Sequence, residues 1–304
     1  MEEEQVFYDG APTEAAIEAA TESALNEPSA IRDALTAGSA DHAVATPTEG
    51  AVPAPVEGLS PINPARTAAD MTVSRFSSAV WYDKVREKDI ILAGCGGIGS
   101  YVGFLLGRMK PHLLILYDND SVDETNLSGQ LFRRDDVGAP KTTALCRVIA
   151  SYTSFTHLYS IPRKYNSLDG TKPIMICGFD NMAARRIFYE NWKTNLADMD
   201  SERRKMALFI DGRLAAEEFQ VFAITGDNWT AMERYEKEFL FSDEEAEETL
   251  CSYKQTSYMA NMIGSVMVNI FTNFCANECD LVLPREVPFL TTYRADYMDF
   301  KVER

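Results

Sequence analysis

Long apolar runs, clustered cysteines and basic residues are scarce in this sequence, and aromatic side chains are nearly missing from its first 70 positions. No stretch offers the roughly 20 consecutive apolar residues that cross a bilayer, so no membrane span is expected. The start, Met1-Glu2-Glu3-Glu4, has neither the positive segment nor the apolar run of a signal peptide. The six cysteines (Cys95, Cys146, Cys177, Cys251, Cys275, Cys279) are therefore expected as reduced thiols of a cytoplasmic protein. Only Cys275 and Cys279 are close, as C-x3-C, and no second pair follows, which argues against a four-thiolate zinc site. Bases number 29 against 46 acids, a formal charge of −17. The absence of a basic stripe to release phosphate counterions argues against a general nucleic-acid binder.

The charge is uneven. Residues 1–70 hold 13 acids and 2 bases, or −11, and the remaining 33 acids and 27 bases leave −6. The same 70 residues hold 17 Ala and 7 of the 13 Pro, but only Phe7 and Tyr8 as aromatics. So few large apolar groups cannot offset the entropy of ordering, and residues 1–69 are expected to form an acidic, disordered leader. Thr46–Pro64 reads as an extended proline-rich linker, and Thr13–Leu25 as a marginal helix. A segment that folds on binding a partner is the alternative.

From residue 70 to 304 the composition is globular. Short apolar runs at Asp89–Ala93, His112–Tyr117, Ile174–Cys177, Ala207–Ile210 and Phe219–Ile224 predict strands. Helices are predicted at Ser100–Met109, Pro140–Ala150 and Asn181–Asn195. Alternation of this kind implies an α/β fold, a Rossmann-like, mostly parallel sheet with helices on both faces. Asp243–Glu248 reads as a solvated acidic run, and Tyr258–Phe274 as a core-packing helix in a C-terminal helical extension.

Gly94-Cys95-Gly96-Gly97-Ile98-Gly99 follows the first strand and opens the first helix, satisfying G-x-G-x-x-G in its required context. Gly94, Gly96, Gly97 and Gly99 would let the backbone turn and approach a phosphate at the helix N-terminus. Asp118 ends the next strand, where an acid suits ribose hydroxyls. These features alone fit a nicotinamide dehydrogenase as well as an ATP enzyme.

The residues that follow favour ATP. Asp118-Asn119-Asp120 leads to Asn126-Leu127-Ser128-Gly129-Gln130, then Gly138-Ala139-Pro140-Lys141, then Asp180-Asn181 with Arg185. This order resembles the ubiquitin-activating-enzyme-like family, which includes the bacterial ThiF, MoeB and HesA adenylyltransferases. Its pattern is a glycine loop, D-x-D, N-L-x-R-Q, G-x-P-K and D-N-x-x-x-R. The resemblance implies ATP and Mg²⁺ as cofactors, and adenylylation of the C-terminal carboxylate of a ubiquitin-like or sulfur-carrier protein. It also implies a homodimer. By the same resemblance Lys141 faces the polyphosphate, Asp180 holds Mg²⁺, and Asn126 and Gln130 bond around the triphosphate and ribose. Taken alone, Lys141 is a surface lysine at a helix start and Asp180 a helix cap.

Three departures stand out. Gly129 replaces the arginine of N-L-x-R-Q, Ser78 replaces the second arginine of an R-Y-x-R-Q segment that begins at Arg75, and paired C-x-x-C zinc ligands are absent. A lost guanidinium fork is not replaced by serine or glycine. Either Arg133, Arg134 or Arg213 compensates, or the chain is a nucleotide-binding scaffold that recruits partners through its tail. Arg213 has a second reading as a structural salt bridge. Cys251 is a candidate acyl-accepting thiol or a buried structural one, and Cys95 reads as a packing residue.

Overall fold

Where a sheet is covered on both faces, successive strand residues must enter two different cores, and both sets must be apolar. The first strand, β1 (Asp89–Ala93), does this. Ile90 and Leu92 enter one core, while Ile91 and Ala93 enter the other. The structure, a computed structural model, describes residues 70–241, 256–281 and 283–303. The expected leader 1–69, the acidic run Asp243–Glu248 and Cys251 lie outside the described residues.

The elements run α1 (Tyr82–Arg86), β1, α2 (Gly97–Met109), β2 (Leu113–Tyr117), α3 (Lys141–Tyr152), β3 (Leu158–Ile161), β4 (Ile174–Cys177) and α4 (Met182–Ala197). They continue with α5 (Ser201–Lys205), β5 (Leu208–Ala215), β6 (Glu218–Thr225), α6 (Trp229–Glu238), α7 (Ser257–Ala276), β7 (Leu290–Arg294) and β8 (Asp299–Glu303). One sheet takes all eight strands in the order β3-β2-β1-β4-β5-β6-β7-β8. The first five are parallel, and the remaining pairings are antiparallel. The expected α/β class, with a Rossmann-like parallel body and helices on both faces, is therefore the observed one.

Helices α1, α2, α3 and α7 cover one face, around Val102, Leu106, Leu145, Ile263 and Phe271. Helices α4 and α6 cover the other, around an aromatic cluster of Phe188, Tyr189, Trp192, Phe209 and Tyr235. Among the described helices only α7 is long and apolar enough to cross a membrane, and two thirds of it (67%) is buried inside the fold. It packs on α2 and the sheet, as a core helix does. Gly264 permits the approach: a Cβ there would lie 3.1 Å from that of Tyr101.

Several elements differ from the sequence reading. Helix α2 begins at Gly97, inside the glycine loop, because no bulky residue opposes the turn. Strand β5 runs to Ala215 rather than Ile210, since β6 pairs along its full length. Strands β3, β7 and β8 carried too few apolar residues to be read as strands, and β8 is an edge strand with little burial. Short helices α1 and α5 and the amphipathic α6 also escaped the apolar pattern.

Candidate functional site

The strand order reverses between β1 and β4, which is where open α/β sheets leave a crevice at the strands' C-terminal ends. The glycine loop lies there. Gly94 donates its N–H to the Tyr117 carbonyl at 2.9 Å, and Gly178 donates to Ala93 at 3.0 Å. Gly94 has φ of +82°, and a Cβ on it would sit 2.8 Å from the Gly178 carbonyl oxygen. A Cβ on Gly99 would sit 1.7 Å from the carbonyl oxygen of Gly94. At Gly94 and Gly99 the loop thus closes on itself and on the Gly178 turn with no room for a side chain. At its end Gly96 caps α2 without a side-chain hydrogen bond, so no side chain takes the first-turn amides that bind anions.

Acidic and basic groups from the next segments close round this loop. Asp118 accepts from the Cys95 N–H at 2.6 Å and from the Asp120 N–H at 2.8 Å. Burial raises its pKa above the ordinary value, against the pull of those N–H groups and Lys141. Lys141, nearly buried at the first position of α3, reaches Asp120 at 3.0 Å, and its N–H bonds the Asp120 carbonyl at 2.9 Å. The second acid of D-x-D is thus a partner that the sequence did not assign to the lysine. Gln130 lies over the loop, its Nε2 3.8 Å from where a Gly96 Cβ would be, and its buried Oε1 has no hydrogen-bond partner. A buried carbonyl oxygen left unpaired is costly unless something donates to it. Asn126 instead accepts from the Asp123 N–H at 3.0 Å and closes the capping box of a short 3₁₀ turn.

Across the crevice, Asp180 is exposed just before α4. The helix cap is Asn181, whose Oδ1 accepts from Ala184 N–H at 2.8 Å. The alternative of Asp180 as a cap is therefore corrected, because the neighbouring side chain already serves that amide.

Behind Asp180 lies a buried ionic cluster. Arg185, buried on α4, donates to Asp211 Oδ1 at 2.7 Å, and Arg213 donates to Asp211 Oδ2 at 2.8 Å. Tyr235 adds its hydroxyl at 2.8 Å and Cys177 its thiol at 3.1 Å. Burial by itself would raise the Asp211 pKa, but Arg185 and Arg213 outweigh it and hold it at about 2. Arg213 also donates to the Phe239 carbonyl at 2.9 Å and lies over the Phe222 ring at 4.6 Å. Its guanidinium is spent on the α6 face, so the structural salt bridge is the reading realised.

The other candidate arginines lie as follows. Arg133 grips Asp136 with both prongs, each at 3.0 Å, while Arg134 and Arg75 are exposed. Gly129 is buried and Ser78 exposed. Cys95 is fully buried, and burial pushes its thiol well above the usual range, as expected of a packing residue. No group of three or more His, Cys, Asp or Glu side chains is arranged to hold a metal among the described residues.

The sequence model of the ThiF family matches residues 68–303. Ubiquitin-like modifier-activating enzyme 5 of Arabidopsis thaliana is 31% identical over 100 residues, covering 33% of this chain and 23% of that protein. The Drosophila willistoni protein of the same name is 30% identical over 132 residues, covering 38% and 32%. The matched part is thus about a quarter to a third of the length of these relatives. Among solved structures, Escherichia coli MccB with ATP superposes with a TM-score of 0.56 at 17% identity, covering 74% of this chain and 66% of that one. PaaA gives 0.59 at 15% identity, covering 82% and 77%.

Proposed function

This chain belongs to the ThiF family, and on that premise we propose that it uses ATP to adenylylate the C-terminal carboxylate of a ubiquitin-like or sulfur-carrier protein. The observation that carries the reading is the cradle itself. Glycine backbone and the start of α2 lie at the sheet's reversal point, and Gln130 lies against Gly96 with its Oε1 unpartnered. The Lys141 ammonium reaches Asp120, two residues beyond the acid that bonds the loop, and we read these groups as one nucleotide cradle. A nucleotide polyphosphate with an amino- or hydroxyl-bearing base and sugar matches those groups. Asp118, Asn126 and Gln130 supply acceptors and donors for the ribose and phosphates, and the solved MccB structure with ATP has the same fold.

In this reading a carboxylate oxygen of the carrier attacks the α-phosphorus, the bond to the bridging oxygen breaks, and pyrophosphate leaves. Charge grows on the leaving group, where Lys141 offers a preorganised cation. Magnesium would neutralise the pyrophosphate. It is held in such sites by one or two carboxylates plus phosphate oxygens rather than by a protein cage, which the single exposed Asp180 fits. The Cys251 thiolate would then attack the carbonyl carbon of the acyl-adenylate, forming a thioester as the bond to the phosphate oxygen breaks and AMP leaves. We assign the chain to a homodimer on the same family grounds, and to the cytoplasm from the reading of its cysteines as reduced thiols.

The replaced arginines support a second reading, a nucleotide-binding scaffold that forms no adenylate. Pyrophosphate–ATP exchange with a set of carrier proteins separates the two. Exchange that vanishes in Asp180→Ala, with melting followed in parallel because Asp180 accepts from the side chain of the cap residue Asn181 at 3.2 Å, supports the enzyme. ATP binding without exchange for any carrier supports the scaffold. Stabilisation by NAD and not by ATP would overturn both.

A further inference from the structure

We propose that Arg185 is a positioning residue for the Asp180 turn, with Asp211 as the buried anchor that fixes its guanidinium. The inference rests on the nucleotide reading above and goes beyond it, because Arg185 contacts neither phosphate nor metal in that reading. All three guanidinium nitrogens are used inside the protein. Nε goes to Asp211 at 2.7 Å, Nη1 to the Met182 sulfur at 3.0 Å, and Nη2 to the Phe179 carbonyl at 2.7 Å. That carbonyl belongs to the peptide whose nitrogen is Asp180. The guanidinium plane therefore ties the backbone immediately before Asp180 to β5.

The tie is rigid at its far end. Asp211 is fully buried and pairs with Cys177 in the β4–β5 register, so its carboxylate is carried by two central strands. Arg213, Tyr235 and the Cys177 thiol fill its remaining acceptor sites. A planar fork fixed at one prong holds the direction of the others, which a flexible ammonium does not. A chain that needed only charge balance at this site would be served by Asp211 with Arg213 alone. The second arginine adds net positive charge to a buried cluster, which is costly unless it also does something. What it adds is the bond to Phe179. The same turn also carries the Gly178–Ala93 bond, the Asn181 cap and the Asn181 side chain's bond to Asp180, but of these contacts the Arg185 bond is the one that ties the Phe179 carbonyl to β5.

The test is ATP binding by calorimetry, with and without magnesium, on the full chain. Arg185→Lys keeps the charge opposite Asp211, but a single ammonium cannot also hold the Phe179 carbonyl in the same geometry. The magnesium-dependent gain in ATP affinity should fall by roughly three- to tenfold, the value of one net hydrogen bond, with magnesium-free affinity unchanged. Arg185→Gln leaves Asp211 and Arg213 as a neutral pair and should show the same loss, which covers the case where the lysine variant fails to fold. The Asp180→Ala variant sets the floor of the effect. A folded Arg185 variant that keeps the full magnesium gain would overturn the positioning role while leaving the nucleotide reading intact. A wild-type chain that binds no ATP would overturn that reading instead, so the two failures are distinct.

Discussion

Two glycines three residues apart in the loop should respond oppositely to the same added methyl group. A Cβ at Gly99 would overlap the Gly94 carbonyl oxygen at 1.7 Å, and 2.8 Å separates it from the carbonyl carbon behind. Ordinary contact begins near 3.4 Å, so the loop must open by more than an ångström against the Gly178 turn. Overpacking of that kind costs about 3 kcal/mol. For a domain of this size that corresponds to a fall in Tm of about 6–12 °C. At Gly96 the nearest atom to an added Cβ is Gln130 Nε2, at 3.8 Å, which is normal contact. Gly96→Ala at the cap of α2 should therefore cost only about 1 kcal/mol, while placing a methyl where a phosphate would approach the amides. Differential scanning calorimetry together with ATP titration separates the two effects. We expect Gly99→Ala to lose stability first, and Gly96→Ala to keep its fold but bind ATP at least tenfold more weakly. A Gly99→Ala protein that melts with the wild type would refute the steric argument, and unaltered ATP affinity in Gly96→Ala would refute the cradle.

Three further outcomes are expected. Asp211 has a folded-state pKa of about 2 against an ordinary 3.8, so its contribution is complete above the ordinary value and is lost as pH falls toward 2. That loss is worth about 2 kcal/mol, so urea unfolding of wild type and Asp211→Asn should converge by that amount on acidification; a constant gap would contradict it. Lys141→Met should weaken ATP binding strongly while changing stability by less than about 1 kcal/mol, because its partner Asp120 is exposed. Equal ATP affinity in that variant would remove Lys141 from the site. Cys251→Ala should abolish a reductant-sensitive adduct with the carrier and preserve pyrophosphate exchange; an adduct that persists makes the thiol structural.

Much of the crevice was legible along the chain because its chemistry is local. Gly94 and Gly99 set a backbone path that a side chain would obstruct, and the apolar run Ile90–Ala93 directly before the glycines reads as a buried strand. The ordered motifs from Gly94 to Arg185 carried a family resemblance, and that resemblance implied ATP chemistry over a simple tight turn. Less was legible where the signal was packing rather than composition. Strands β3, β7 and β8 are recruited by partners already in the sheet, and α6 presents only a narrow apolar stripe.

What the sequence alone determined is the α/β class, the glycine loop and the candidate residues strung along the strand ends. What only the tertiary structure decided is which charges meet. Lys141 goes to Asp120 across 21 residues, while Arg185 and Arg213 converge on Asp211 from opposite directions. That convergence requires Cys177 to lie beside Asp211 in the β4–β5 register, with α4 folded back over the sheet. A register is a collective result of many apolar contacts, and no single residue or short motif carries it. The same packing gave Arg213, offered by the sequence as a compensating arginine or a structural salt bridge, its place against the buried Asp211 carboxylate.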